Sequence, residues 1–180
     1  MIGVINYGSG NFRSVVNVLN FLEINFSEIN NHKNIKNCTH IILPGVGSYS
    51  DLMLRLKKIN LLEELRYQIL EKKTFFLGIC VGMQILSSFG SENEKTNGLN
   101  LIEGVVEKIP TNNFKLPNIG WHSITLKKKN SKLFANILDS EMFFYFVHSY
   151  YFKLKNNSEC SSFIEYDGQI SASVEKNNIY

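Results

Sequence analysis

Short apolar runs alternate with helix-period stretches along the first half of the chain. "IGVIN" (2–6) has the length and texture of a buried strand and ends at the turn Tyr7-Gly8-Ser9-Gly10. Val15, Val16, Val18, Leu19 and Leu22 then recur at three- and four-residue spacing, which predicts one face of a helix. "THIILPG" (39–45) predicts a second buried strand, stopped by Pro-Gly. Leu52, Leu54, Leu56 and the stretch from Leu61 to Leu70 predict one or two helices. "TFFLGI" (74–79) predicts a third buried strand, and Val81 to Phe89 a helix ended by Gly90.

Strands apolar on both faces, alternating with helices, imply a parallel sheet in an α/β domain. From about residue 100 the segments become shorter, aromatic and β-branched: "GVVEKI", "HSITL", "MFFYFVHSYYFKL" and "SSFIEYDGQISASV". They predict antiparallel or mixed strands. With no repeat, low-complexity tract or linker, residues 1–180 are expected to form one domain. Its fold class is α/β: a mostly parallel central sheet flanked by helices, with an antiparallel or mixed extension.

Composition narrows the function classes. A formal net charge of +3 over 180 residues is too small to argue for nucleic acid or an anionic membrane surface. No apolar stretch reaches the ~18–20 residues of a membrane span, and the N-terminus carries no basic leader or cleavage site. Cys38, Cys80 and Cys160 are odd in number and form no C-x-x-C pair, against both a disulfide framework and a zinc site. No cluster has metal-ligand spacing, so neither a metal nor an organic cofactor is expected. A cytoplasmic protein with reduced thiols is the expectation.

The chemistry concentrates at Gly78-Ile79-Cys80-Val81-Gly82, a G-x-C-x-G element between a strand and a helix. That is the setting of a nucleophile elbow, where a sharp bend strains the nucleophile and the flanking glycines remove clashes. At the first turn of a helix, free N–H groups are expected to favour the Cys80 thiolate. The Val81 N–H can point into an oxyanion hole. The second strand ends in Pro44-Gly45-Val46-Gly47, expected at the same carboxyl edge of the sheet, where such folds place their ligands.

"NYGSGNFRSV" (6–15), "LPGVGSYSDLM" (43–53), "LGICVGMQIL" (77–86), "GLNLIEGVV" (98–106), "LPNIGWHSI" (116–124), "FYFVHSYYF" (144–152) and "EYDGQISASVEKNNIY" (165–180) run in the order found in one family. With them the chain resembles the glutaminase subunits of imidazole glycerol phosphate synthases, which are class I, triad-type glutamine amidotransferases of flavodoxin-like fold. The resemblance implies that Cys80 is the nucleophile for L-glutamine, forming a thioester and releasing ammonia. It implies Val81 N–H as one oxyanion donor and the Val46 backbone as an adjustable second. Gly47, Gln84, Ser149 and Tyr150 would hold the substrate.

The resemblance also implies a partner, a (β/α)₈-barrel cyclase, contacted by Asn11, Pro117, Asn118 and Trp121. Together the subunits would make imidazole glycerol phosphate and an aminoimidazole carboxamide ribonucleotide in histidine biosynthesis. His148 lies in an apolar aromatic strand and reads as a histidine held in the sheet, and the family does not use that position as base. The family's base histidine and its carboxylate come from an F-H-P-E segment beyond the match to "EKNNIY", and His32, His40 and His122 are no substitute. The natural product is therefore expected to continue past Tyr180, and the 180 residues alone to be inactive. Family members usually read Pro-His-Met-Gly-Trp-Asn where this chain has Pro117-Asn118-Ile119-Gly120-Trp121-His122. That departure keeps open a paralogue supplying ammonia for surface-sugar modification, and the missing base histidine and carboxylate keep open an inactive scaffold subunit.

Overall fold

The computed structural model describes residues 1–8, 11–138 and 141–180, so Ser9 and Gly10 of the expected first turn lie outside the described residues. Four parallel strands form the central sheet in the order β2-β1-β3-β4: β1 (Ile2–Ile5), β2 (Phe26–Ile29), β3 (His40–Gly45) and β4 (Phe75–Cys80). Crossovers run through α1 (Phe12–Phe21), α2 (Tyr49–Lys58) and α3 (Leu62–Leu70). Ile5, Ile41, Leu43 and Phe76 are buried between the sheet and its coverings, as the uninterrupted apolar runs require. The Ser48 hydroxyl caps α2 by accepting the Asp51 N–H (3.3 Å), so the helix starts directly after the loop that leaves β3.

After β4 the chain makes one short helical turn, α4 (Val81–Gln84), and not the longer helix that the apolar pattern predicts to Phe89. The reason is tertiary. Phe89 and Gly90 form β5 and pair in parallel with β7 (Gly104–Lys108), which competes for their backbone groups. The extension comprises β11-β7-β5-β6, with β6 at Thr96–Asn97 and β11 at Tyr150–Leu154. It continues in an antiparallel ribbon of β8 (Asn118–Ser123) and β10 (Phe143–His148), and in β13-β12-β9, with β9 at Thr125–Leu126, β12 at Cys160–Glu165 and β13 at Gln169–Val174. Ile109, Ile124, Phe134, Met142, Ile164 and Ile170 form a second apolar cluster under these strands. β11 and β13 join the two clusters, because Phe152 and Val174 belong to the first while Tyr151 and Ile170 belong to the second.

Apolar side chains stay open on α1 and on β4. On α1 only Leu19 of the predicted face is buried, while Val18, Phe21 and Leu22 are exposed. On β4, Phe75 and Ile79 are exposed, and no described element covers them. Residues 178–180 lie alongside this outer edge of β4. The Gly78 N–H donates to the Tyr180 carbonyl (2.9 Å), and the Tyr180 N–H to the Phe76 carbonyl (2.8 Å).

Three glycines allow the carboxyl ends of β3 and β4 to meet α4. A Cβ at Gly78 would overlap the Gly82 carbonyl, one at Gly82 the Leu43 carbonyl, and one at Gly45 the Gly82 nitrogen. All of these neighbours are backbone and cannot swing aside. Gly82→Ala is therefore expected to destabilise the fold by about 1–3 kcal/mol, measured by urea denaturation, and an unchanged midpoint would contradict this packing.

Candidate active site

Cys80 closes β4 and precedes α4, with φ +55° and ψ −116°. A non-glycine residue in that region costs on the order of 1–3 kcal/mol, and such strain persists only where its surroundings over-determine it. The three-glycine contact supplies that constraint. It holds the strand end, the bend and the helix start together, so Cys80 must take the conformation that turns its side chain out of the sheet. The result is an exposed cysteine, whereas Cys38 and Cys160 are buried.

β3 and β4 are in register so that Gly45 lies beside Cys80. The Pro44–Gly47 turn thus stands at the carboxyl edge next to the sulfur, where the sequence places it. Gly47 has φ +90° and open space around its α-carbon. The Val46 N–H donates to the Tyr7 hydroxyl (3.3 Å), so it is engaged away from an oxyanion position. Tyr7 is buried, and that burial raises its phenol pKa. Glu92 accepts the Tyr49 N–H at the start of α2 (2.8 Å), and its charge is felt at Cys80.

The Cys80 thiol pKa lies above its ordinary value, because the surrounding protein desolvates the thiolate. The Val81 N–H pulls the other way and the Glu92 charge adds to the rise. The expected lowering by an N–H at the helix start is present, through Val81, but desolvation outweighs it. α4 is only four residues long, and its N-terminal groups do not outweigh desolvation.

On the opposite side of β4 from Gly45 lies a cleft of about 420 Å³, lined by Cys80, Gln84, His148, Tyr180 and apolar side chains including Phe144 and Phe146. Val46, Gly47, Ser149 and Tyr150 do not line it. Cys80 therefore stands between two spaces, one bounded by the β3 turn and one by this cleft. Among the described residues His148 is the only histidine that lines the cleft. Its Nδ1–H donates to the Tyr150 carbonyl (2.9 Å) and its Nε2 accepts from Asn118 (3.1 Å), leaving no free nitrogen for a proton. Burial also lowers its pKa.

Gln84 is buried and donates from Nε2 to the Tyr150 carbonyl (3.0 Å), which ties α4 to the start of β11. Ser149 lies between β10 and β11 and Tyr150 opens β11, both half-buried. Of the residues expected at a partner interface, Asn11, Pro117 and Trp121 are exposed. Asn118 is 1% exposed and its side chain is hydrogen-bonded within the protein, so it offers a partner nothing. Strand alternation explains the difference: Ile119 and Trp121 face outward on β8, opposite Val147 and Tyr145 on β10. With Phe143 they make an exposed apolar face on which Trp121 stacks against Phe143 (6.2 Å) and meets Tyr145 edge-on (5.6 Å).

Sequence reasoning missed Tyr7, Glu92 and the inward role of Asn118. Tyr7 sits in the quoted "NYGSGN" segment and Asn118 beside a proline, but neither declares its partner locally. Among the described residues no group of three or more His, Cys, Asp or Glu side chains could hold a metal ion. No helix among them is long and apolar enough to cross a membrane.

Known proteins match this geometry. Residues 4–180 fit the family described as glutamine amidotransferase class-I. The chain is 39% identical over 180 residues to the imidazole glycerol phosphate synthase subunit HisH of Caldanaerobacter subterraneus subsp. tengcongensis, covering 100% of this chain and 87% of that one. It is 36% identical to HisH of Leptospira interrogans (100% and 89% covered) and 37% identical to HisH 2 of Methanococcus maripaludis (100% and 88% covered). A solved glutamine amidotransferase superposes with a TM-score of 0.72 at 17% identity, covering 99% of this chain and 86% of that one. PurLQS from Thermotoga maritima superposes at 0.70 and 18% identity, with 99% and 83% covered. These two structures share the fold. Taken with a family match that spans almost every residue, the strained cysteine elbow makes this chain a member of the class-I glutamine amidotransferase family.

Proposed function

We propose that the chain is the glutaminase subunit of an imidazole glycerol phosphate synthase, acting in the cytoplasm in histidine biosynthesis. The observation that carries this reading is an exposed cysteine at φ +55° on a strand-to-helix bend, in a chain that aligns over its whole length with HisH subunits. Those relatives favour the histidine-pathway reading over a surface-sugar paralogue.

The Cys80 sulfur attacks the side-chain amide carbon of L-glutamine, forming a C–S bond while the C=O electron pair moves onto oxygen. Collapse of this oxyanion expels the nitrogen as ammonia once it has gained a proton. Water then hydrolyses the thioester to glutamate and the free thiol. The Val81 N–H is one oxyanion donor, and the Val46 N–H becomes the second when its peptide turns away from Tyr7. Gly47 permits close approach, Gln84, Ser149 and Tyr150 hold the substrate, and the Glu92 carboxylate offers a counter-charge for its α-ammonium group.

A thiol with a raised pKa is protonated at neutral pH, so the attack needs a base. His148 is not free to act as one. The resemblance puts the base in an F-H-P-E segment that follows "EKNNIY" in the family, and residues 178–180 run beside β4 toward the elbow. Ammonia passes to a (β/α)₈-barrel cyclase docked on the exposed face of β8 and β10, with Trp121 as its central contact and Asn11 and Pro117 alongside. The cyclase makes imidazole glycerol phosphate and the aminoimidazole carboxamide ribonucleotide.

Two outcomes test this account. The 180-residue chain alone shows no meaningful glutamine turnover, yet its Cys80 is alkylated at a rate whose pH midpoint lies above 9.0, the ordinary thiol value. Vigorous turnover, or a midpoint near neutrality, would overturn the requirement for a further base. In the natural gene product assembled with its cyclase, Cys80→Ala abolishes glutamine-dependent synthesis and leaves synthesis from ammonium salts intact. Loss of both, or of neither, refutes the assigned role.

A further inference from the structure

Asn118, His148, Tyr150 and Gln84 form one hydrogen-bonded line from the β8–β10 ribbon to the helix that follows the nucleophile. Asn118 and His148 are cross-strand partners at the end of the ribbon. The Asn118 Nδ2–H donates to His148 Nε2 (3.1 Å), and the His148 Nδ1–H donates to the Tyr150 carbonyl (2.9 Å). That carbonyl also accepts the Gln84 Nε2–H (3.0 Å), so both of its lone pairs are used. At the other end, Asn118 Oδ1 accepts from His122 Nε2 (2.8 Å).

The proton positions follow from the partners. A carbonyl can only accept, so it demands a proton on His148 Nδ1. A neutral ring then has a bare Nε2, which demands a donor, and only the NH₂ end of Asn118 can serve. Turning that amide around would set Oδ1 against the bare Nε2, lone pair against lone pair, unless His148 became a cation. Burial disfavours that cation, and so does the neighbouring His122. The other titratable groups around the ring are Cys80 and Tyr180 across the cleft and Tyr145 on its own strand. Among the described residues no carboxylate lines that cleft to favour the charged form.

We infer that Asn118 is a positioning residue for glutamine binding: by holding His148 as its Nδ1–H tautomer, it keeps the Tyr150 carbonyl and Gln84 in the geometry that the substrate meets. The inference rests on the reading of Gln84, Ser149 and Tyr150 as substrate-holding residues. It goes beyond that reading by giving a buried residue of the ribbon a part in substrate affinity. The arrangement uses the two faces of the same strands, since Ile119 and Trp121 face outward while Asn118 faces in. It also explains why His148 cannot double as the base, because its only basic nitrogen is already an acceptor.

The test uses ¹⁵N NMR of the histidine rings and titration of the full 180-residue chain with L-glutamine. In the wild-type chain His148 shows a protonated Nδ1 and a bare Nε2. Asn118→Leu removes the donor without adding a charge, so the bare His148 Nε2 loses its partner and the ring signals are expected to shift from a single Nδ1–H tautomer to a mixture. Glutamine affinity is expected to fall about tenfold, the scale of one hydrogen bond left unmade, while the melting profile confirms the fold. A wild-type spectrum with the proton on Nε2 would overturn the inference without any variant. So would a folded Asn118→Leu chain that binds glutamine as tightly as wild type. If the wild-type chain does not bind glutamine at all, the substrate-holding reading fails first, and the inference falls with it.

Discussion

The contact among Gly45, Gly78 and Gly82 is the constraint on which the site depends. Three backbone segments meet where no side chain fits, and their closeness leaves Cys80 one way to join a strand to a helix. The strain in its backbone is held by that packing, not by any bond the sulfur makes. A cysteine in an ordinary strand would alternate into the sheet, as its neighbours do. Here it projects from the end of β4 with the β3 turn on one side and the cleft on the other.

Exposure and reactivity pull apart at this position. The same walls that shape the site desolvate the sulfur and hold its proton on, and the nearby Glu92 adds to that effect. The elbow presents a nucleophile but does not activate it. Activation needs a base with a free nitrogen or oxygen, and His148 has surrendered both nitrogens to Asn118 and Tyr150. The Val46 N–H is likewise engaged, by the Tyr7 hydroxyl. What the described residues hold is an exposed, desolvated thiol on a strained bend, beside a Val46 N–H that is turned to Tyr7.

Features that depend on neighbours in sequence were legible. The elbow could be read because glycine, cysteine and glycine sit two residues apart between a strand pattern and a helix pattern. The parallel sheet followed from three doubly buried apolar runs, although β2 (Phe26–Ile29) escaped because "FSEI" carries a serine and a glutamate. What could not be read depends on distant partners. The helix after Cys80 was predicted too long because the pairing of Phe89 and Gly90 with β7 is invisible locally. The spacing gives α1 its apolar face but not what covers it, and Val18 and Leu22 lie open. The resemblance groups Asn118 with Trp121 at an interface, but strand alternation and a histidine thirty positions away turn it inward.

The most direct measurement is covalent labelling of the natural gene product, assembled with its cyclase, by a diazo-ketone analogue of glutamine, with the adduct located by mass spectrometry. The account predicts a single adduct on Cys80, formed more slowly as L-glutamine is added. An adduct on Cys38 or Cys160 in the folded protein, or none at all, would contradict it.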